Sequence, residues 1–324
     1  MQFEEVRRGY GGYPPLLLET TNPPERIFVR GKLPDAGVPH IAIVGTRKAT
    51  REGRELAKKT AKALAGRGFI IVSGLAMGID TAAHTGALEA GGLTVAVLGT
   101  GIDKVYPAQN ENLANRIILS GGAIMSEYAS GTPSYQSNFL ERNRIVAGLC
   151  AATVVIEAPA RSGAIVTARL AAEYGREVFV FPGPAGHPQW AGSHALIRDG
   201  ARLVHSTDDI LEDLASNIEK LEDSGDLFSE HSAVPTGLVS DKVRAVGTRA
   251  KKIFPQEKNY SVSEKRSHEA EKVLRALTES KIPLSVDKII EITKLTAQEA
   301  NQALGELVIC GIVEETATGY KLKM

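Results

Sequence analysis

Ile41-Ala-Ile-Val44 leads directly into Gly45-Thr46-Arg47, and this pattern of an apolar run ending at a turn recurs along the chain. Strands that are apolar on both faces are typical of a parallel sheet covered by helices on each side. Stretches with helical spacing separate the runs, which indicates βαβ units. The pattern therefore predicts an α/β fold with an open, doubly wound, mostly parallel sheet. The predicted strands are 41–44, 69–72, 94–98, 123–125, 153–156 and 178–181, and the predicted helices are 54–65, 81–90, 112–120, 142–150 and 164–174.

Composition divides the chain into four parts. Residues 1–40 form an N-terminal segment whose prolines exclude a long helix and whose apolar stretch 27–30 predicts a strand at the sheet edge. The α/β domain covers 41–215, and the charged, serine-containing segment 216–265 is predicted to be a flexible linker. In 266–324, three helical stretches and a final hairpin pattern predict a small winged-helix domain.

The overall charge of the 324-residue chain is balanced, with 38 Lys and Arg against 38 Asp and Glu. A broad electrostatic attraction to nucleic acid is therefore excluded, and any such contact must come from a local cluster of cations. The two cysteines, Cys150 and Cys310, lie in apolar runs and predict buried thiols, not a disulfide or a zinc site. The amino terminus lacks the apolar core of a signal peptide, and the apolar runs are shorter than the roughly 20 residues of a membrane span. We therefore expect a cytoplasmic protein without a membrane segment.

Four turns follow predicted strands and are expected at one edge of the sheet, where α/β proteins bind their ligands. Glycine lets backbone N–H groups approach an anion, and the start of the next helix favours negative charge. Arg47 adds a fork of donors for a phosphate. The turns together predict a phosphate-binding site, although each one alone is also compatible with a simple tight turn. The candidate binding residues are Gly45, Thr46, Arg47, Gly74, Gly78, Gly99, Gly101, Lys104, Ser162, Gly163 and Thr167.

The segment 136–149 carries a different signal, because Phe139 stands shortly before Arg142-Asn143-Arg144. Arginines that hold phosphates and a ring that stacks on a base are a common means of binding a single strand. This predicts that Phe139, Arg142, Asn143 and Arg144 contact nucleic acid. In the alternative, Phe139 lies in the core and the arginines pair with carboxylates. The candidate partners of these arginines are Glu127, Glu141 and Glu157.

Catalytic and cofactor motifs are missing from the sequence. It has no Gly-x-Ser-x-Gly nucleophile turn and no Walker A motif, and Gly99-Thr-Gly101 lacks the third glycine of a dinucleotide fingerprint. His187 and His194 lie in a loop rich in glycine and proline, without further metal ligands. The sequence thus predicts a binding protein that is not an enzyme and uses neither a cofactor nor a metal.

Five motifs follow one another between Tyr13 and Leu214: 45–47, 73–84, 99–107, 139–148 and 161–168. Together they resemble the successive motifs of the DNA-processing protein A family, also called DprA or Smf. A terminal winged helix also occurs in many members of that family. The resemblance implies an extended Rossmann fold that binds and protects single-stranded DNA and forms a homodimer. It also implies that the protein loads the RecA recombinase onto incoming DNA during natural transformation.

The resemblance also suggests roles for single binding residues. Arg47 matches the arginine of the family's phosphate pocket. Other residues of the chain lie in the remaining motif loops and are implied to help hold the strand. They are Asn143, Arg144, Ser162 and Gly163.

The resemblance extends to an apolar patch, and the sequence departs from the family pattern at one position. Leu196 and Ile197 match the patch that members use for dimerisation, near the RecA contact, and Ala172 is a further interface candidate. Ala108 stands where a lysine is common, which removes one phosphate contact. Lys104 is the candidate replacement for it.

Two other functions are compatible with parts of the sequence. Nucleotide phosphoribohydrolases share this type of sheet but carry a catalytic glutamate after a glycine turn, and the corresponding stretch 159–168 has no carboxylate there. A winged helix that reads duplex DNA needs a basic recognition helix, whereas the third helical stretch, 296–308, contains no Lys or Arg. The sequence therefore favours single-strand binding over both alternatives.

Overall fold

Two units make up the part of the chain that the computed structural model describes. The described residues are 2–222, 267–280, 283–309, 312–316 and 319–322. The first unit contains the described residues up to Ser134 and those from Arg142 to Glu222. The second unit contains Tyr135–Glu141 and the described residues from Ser267 onward.

A sheet of nine strands forms the centre of the first unit. The strands are β1 (Glu4–Arg7), β2 (Arg26–Gly31), β3 (His40–Val44), β4 (Ile70–Ser73), β5 (Thr94–Leu98), β6 (Ala123–Ser126), β7 (Ala152–Val155), β8 (Glu177–Val180) and β9 (Arg202–Leu203). They lie in the order β1-β2-β6-β5-β4-β3-β7-β8-β9. Strands β3 to β9 are parallel to one another, whereas β2 is antiparallel to β1 and β6. From β3 the chain winds first to one side and then, from β7, to the other, which confirms the predicted doubly wound α/β fold.

Burial on both faces explains why these strands are continuous apolar runs. Ile41, Ala42 and Ile43 of β3 are all buried. Ala42 and Val44 pack in the core layer on one face of the sheet, and Ile41 and Ile43 pack in the layer on the other face. A strand with polar side chains on one face would leave one of these two core layers without apolar contacts.

Helices cover both faces of the sheet and aim its loops. The helices up to residue 222 are α1 (Pro15–Leu18), α2 (Arg51–Gly66), α3 (Ile79–Glu89), α4 (Glu111–Leu119), α5 (Gln136–Glu141), α6 (Asn143–Gly148), α7 (Gly163–Glu173), α8 (Ala191–Arg198) and α9 (Thr207–Glu222), of which α5 belongs to the second unit. Thr50 caps α2, since its hydroxyl accepts a hydrogen bond from the Gly53 N–H at 3.0 Å. Gly86 lets α3 pack closely on α2, because a Cβ there would overlap the carbonyl oxygen of Lys58.

Three boundaries differ from the expectation from sequence. The predicted strand 27–30 lies in β2, but β1 pairs with its outer side, so β2 is not the edge of the sheet. The helix expected over 142–150 is shorter, since α6 ends at Gly148. Helix α9 continues to Glu222 and so enters the segment predicted as a linker, whose remaining residues, 223–265, lie outside the described part of the chain.

The second unit contains the elements predicted for a winged helix. After α5 come α10 (His268–Glu279), α11 (Val286–Thr293), α12 (Ala297–Ile309) and the antiparallel hairpin of β10 (Val313–Thr316) and β11 (Gly319–Leu322). A capping box begins α12: the Thr296 hydroxyl accepts from the Glu299 N–H, and the Glu299 carboxylate accepts from the Thr296 N–H. Leu140 of α5 packs where Gly305 of α12 leaves room. The identification of this unit as a winged-helix domain stays a prediction.

The described residues contain neither a helix that could span a membrane nor a cluster of metal ligands. No helix in these ranges has the length and apolar composition needed to cross a membrane. Within the same ranges, His, Cys, Asp and Glu side chains form no group of three that could hold a metal ion. Cys150 is buried, as predicted, and burial raises the pKa of its thiol; Cys310 lies outside the described residues.

Candidate functional site

The carboxyl ends of β3 and β7 meet where the winding of the sheet reverses direction, which is where ligands bind in open α/β sheets. The loop that carries Arg47, residues 45–50, starts here and is the first of the predicted loops. The Thr46 N–H donates to the carbonyl oxygen of Glu157 at 2.7 Å, and the Ile79 N–H donates to the carbonyl oxygen of Thr46 at 3.3 Å. These bonds tie the loop to the chain just after β7 and to the start of α3, and the Arg47 side chain lies exposed at the loop surface.

The second predicted loop, residues 74–78 between β4 and α3, packs directly on the loop 45–50. Gly78 has a φ of +83°, and a Cβ on it would overlap the carbonyl oxygen of Thr46. Leu75 is buried in the left-handed region at a φ of 56°, which is uncommon for a residue with a side chain. The Asp80 carboxylate holds this turn, since it accepts hydrogen bonds from the N–H groups of Gly74 at 3.1 Å and Ala76 at 3.3 Å. Asp80 thus orients the loop that precedes it.

Arg142 lies inside the protein, contrary to the expectation that it contacts nucleic acid at the surface. The residue is 4% exposed, and its Nη1 donates to the carbonyl oxygens of Gly74, at 2.7 Å, and Val97. Burial lowers the pKa of its guanidinium to about 10, against the opposing effect of the Asp80 carboxylate. Arg142 therefore joins the ends of β4 and β5, and the buried position explains why it is not available to a phosphate.

Arg144 follows the alternative that the sequence left open. Its Nη1 donates to the carbonyl oxygen of Asn22 at 2.7 Å, and its Nη2 pairs with the Glu127 carboxylate. The guanidinium is thus engaged by the protein itself. Phe139 is half-buried and belongs to the second unit, so its predicted contact with a base stays a prediction.

The loop that opens α7 is held by its own polar side chains. The Ser162 hydroxyl caps the helix by accepting from the Ala164 N–H at 3.2 Å. The carbonyl oxygen of Gly163 accepts from the Asn143 Nδ2 at 3.3 Å and from the Thr167 hydroxyl at 3.1 Å. Asn143 and Thr167 are buried, so both residues order this loop.

The loop after β5 presents both a cation and an apolar side chain. Gly99 is buried, and a Cβ on Gly101 would lie 2.7 Å from the carbonyl oxygen of Ala129, so the loop has no room for a side chain at position 101. Lys104 is exposed, as its proposed replacement of a lysine at position 108 requires. Tyr106 is 49% exposed.

A groove between α2 and α3 continues from Arg47, and the sequence reasoning missed it. It has a volume of about 410 Å³. Arg54 and Lys58 line one side of it, while Met77, which is 46% exposed, and Thr81 lie on the other. Lys58 is also paired with Glu89 at 2.6 Å. The signal was available, because two cations four positions apart share one face of a helix.

His84 on α3 is buried beneath these loops and is held as a neutral imidazole. The Thr94 hydroxyl gives its hydrogen to the carbonyl oxygen of Ile71 at 2.6 Å, so it must accept the bond from His84 Nδ1 at 2.8 Å. The other ring nitrogen, Nε2, has no hydrogen-bond partner among the described residues. Burial, together with the nearby positive charge of Arg142, lowers the pKa of His84 to about 3.

This neutral imidazole predicts a specific dependence of stability on pH. Between pH 6.5 and 3 the unfolded chain binds a proton at His84 that the folded chain does not bind, so acid favours unfolding. The free energy of unfolding of the wild type relative to His84→Leu should therefore fall by about 1.4 kcal/mol per pH unit as the pH decreases through this range. Urea titrations of both proteins at pH 6, 5 and 4, each about one unit apart, measure the difference. A difference that stays constant would contradict a buried neutral ring.

The predicted interface residues do not form a single exposed patch in the first unit. Leu196 is 3% exposed and packs in the core under α8, because it lies on the inner face of that short helix. Its assignment to a dimer surface is therefore corrected. Ala172 and Ile197 are half-buried and pack against the same core.

Comparison with known proteins agrees with this architecture. The profile of the family described as DNA recombination-mediator protein A matches residues 6–215. Protein Smf of Escherichia coli strain K12 is 43% identical over 212 residues, which are 65% of this chain and 57% of that protein. Protein Smf of Synechocystis is 36% identical over 317 residues, which are 94% of this chain and 76% of that protein. A solved structure of DNA processing protein A from Helicobacter pylori, described by its single-stranded DNA binding mode, has a TM-score of 0.59 and 27% identity over 66% of this chain and 96% of that chain.

The matched profile runs from within β1 to the middle of α9 and includes every loop at the switch point of the sheet. The chain spans a little more than half the length of the Escherichia coli protein. Because fold, loop motifs and profile agree over this region, the chain belongs to the DNA recombination-mediator protein A family, the DprA and Smf proteins.

Proposed function

We propose that this chain binds single-stranded DNA at the switch point between β3 and β7, with Arg47 as the main phosphate ligand. The observation that carries the proposal is the exposed position of Arg47 on a loop that is bonded to the chain after β7 and to the start of α3, at a groove that Arg54 and Lys58 also line. The Helicobacter pylori relative of similar fold is described as binding single-stranded DNA.

Phosphate contacts and base contacts come from different side chains in this proposal. Arg47 supplies the guanidinium fork, Arg54 lines the same groove, and the exposed Lys104 adds positive charge on the loop after β5. The exposed side chains of Met77 and Tyr106 offer apolar surfaces to the bases. This arrangement reads no base edge, so the binding is independent of sequence.

The wider activity is proposed on the family resemblance. The chain acts in DNA processing during natural transformation, protects the incoming strand, loads the RecA recombinase and works as a homodimer in the cytoplasm. It does so as a binding protein without catalysis. Release of free base from nucleoside monophosphates at steady turnover would overturn the last point.

Arg47→Ala should weaken binding to a single strand roughly 10- to 100-fold, because a charge-assisted hydrogen bond contributes about 1.5–3 kcal/mol. The log–log salt dependence of the affinity should also become shallower by about 0.7, the value for one phosphate contact on a single strand. Fluorescence anisotropy with a labelled oligothymidine and with a duplex of equal length measures both.

Arg67→Ala is the matched control, since Arg67 is exposed at the opposite end of α2. Its affinity should stay within about twofold of the wild type, a free-energy change below about 0.5 kcal/mol. Equal losses in the two variants would mean that the strand responds to net charge and not to the switch-point loop. Tighter binding to duplex than to single strand would overturn the proposed function.

A further inference from the structure

Glu157 is a buried carboxylate directly after β7, at the switch point of the sheet. Its side chain is 0% exposed. The Thr50 N–H donates to its two carboxylate oxygens at 3.1 and 3.3 Å, and the Thr50 hydroxyl donates to Oε2 at 2.8 Å. The backbone carbonyl of the same residue accepts from the Thr46 N–H at 2.7 Å. One residue thus holds both ends of the loop that carries Arg47.

Two glycines make room for this residue. A Cβ on Gly53 would overlap the Oε2 atom of Glu157, and a Cβ on Gly45 would lie 2.9 Å from its carbonyl oxygen. Both sides of Glu157 are therefore closed by backbone. The fit is too tight for the carboxylate to turn away without moving the loop.

The position that Glu157 fills is the N-terminus of α2. In sheets of this type, the helix that follows the first strand of the switch point holds the phosphate of a bound nucleotide. Here the carboxylate of the protein itself receives the Thr50 N–H at that place, while the Thr50 hydroxyl also accepts from the Gly53 N–H. A phosphate group cannot occupy the same space.

We propose that Glu157 is a positioning residue for single-strand binding: it fixes the loop between Thr46 and Thr50 so that Arg47 faces an external phosphate. The inference rests on the proposed function of Arg47. It adds that the strand binds on the outer side of this loop and not at the N-terminus of α2, which Glu157 closes to nucleotide phosphates.

Glu157→Gln separates this role from simple electrostatics. Removing a negative charge close to a phosphate site should, by charge alone, tighten the binding of DNA. A positioning role requires the opposite, because an amide keeps only one acceptor oxygen and places an NH2 donor where the other carboxylate oxygen faced the Thr50 N–H, which loosens the loop. We expect binding to an oligothymidine to weaken about 10-fold, the effect of roughly one lost charge-assisted hydrogen bond.

The decisive measurement is a double-mutant cycle with Arg47→Ala, read by anisotropy over a series of salt concentrations. Glu157→Gln should no longer weaken binding once Arg47 is absent, whereas in the protein that retains Arg47 it should reduce the salt slope by about 0.7. Equal or tighter binding by Glu157→Gln, or an equal loss in both backgrounds, would overturn the inference alone. A wild type without single-strand affinity, or one insensitive to Arg47→Ala, would overturn the proposed function and the inference with it.

Glu177→Gln is the matched control, since Glu177 is equally buried in the same sheet and pairs with Arg202 at 3.3 Å at the opposite, amino end of β8. It should lower the Tm without changing the affinity or the salt slope. If Glu157→Gln does not fold, Thr50→Val removes the hydroxyl bond while keeping the carboxylate. That variant should show the same dependence on Arg47, and its absence would count against the inference.

Discussion

Replacing Arg142 by alanine is expected to lower the free energy of unfolding by about 3–5 kcal/mol, the order expected for losing two buried hydrogen bonds from a charged group. Its Nη1 donates to the carbonyl oxygens of Gly74 and Val97, so the substitution leaves two buried acceptors without their donor. It also removes the positive charge that opposes the rise in the pKa of buried Asp80. The Tm of the 324-residue chain should fall by about 10 °C, as measured by differential scanning calorimetry.

Arg169→Ala is the control for this substitution. Arg169 is largely exposed and lies 3.6 Å from the Asp199 carboxylate, so its removal should change stability by less than about 1 kcal/mol. The stability loss of Arg142→Lys should lie between those of Arg142→Ala and Arg169→Ala, because lysine keeps the charge but lacks the planar fork that reaches two carbonyls. A stability loss as small for Arg142→Ala as for Arg169→Ala would contradict the buried role.

Alanine at Gly78 is expected to cost about 2–5 kcal/mol and to weaken single-strand binding at the same time. The residue has a φ of +83°, and its Cβ would overlap the Thr46 carbonyl oxygen and lie 2.7 Å from that of Arg47. The loop of Gly78 and the loop of Thr46 and Arg47 must then move apart, which displaces Arg47. Urea unfolding and anisotropy with an oligothymidine measure the two effects on one protein sample.

Gly91→Ala distinguishes backbone strain from steric overlap. Gly91 also has a positive φ, of +70°, but a Cβ there meets nothing within 4 Å. This control should cost only about 1–2 kcal/mol and leave DNA affinity unchanged, because Gly91 lies before β5, at the other edge of the sheet. A loss of affinity in Gly91→Ala would mean that general destabilisation, and not the contact between the two loops, governs binding.

Arg142 and Arg47 belong to the same series of motifs but have different roles, one in the structure and one in the proposed contact with DNA. Arg142 connects strand ends in the interior, and Arg47 stands on the surface of the loop above them. Loss of the first is expected to appear in stability and loss of the second in affinity. Measuring both properties for both variants therefore separates the assembly of the site from its contact with DNA.

Local features of the sequence were sufficient to predict the fold class of the first unit. Runs such as 41–44 are apolar on both faces because both faces are buried, so the parallel sheet follows from the pattern alone. The capping pair of Thr296 and Glu299 and the loop-orienting role of Asp80 depend on neighbours three to six positions away. Interactions over such short distances along the chain are encoded in the local sequence.

The roles of Arg142, Leu196 and Glu157 were decided only by the order of the strands and the packing of the helices. A charged side chain after an apolar strand can face solvent or the interior, and its own sequence neighbourhood is the same in both cases. Thr50 and Glu157 are 107 positions apart and meet because β7 lies next to β3. Which carboxylate caps which helix, and which arginine faces solvent, therefore depends on long-range packing, since burial and partners are properties of the assembled sheet and not of a sequence motif.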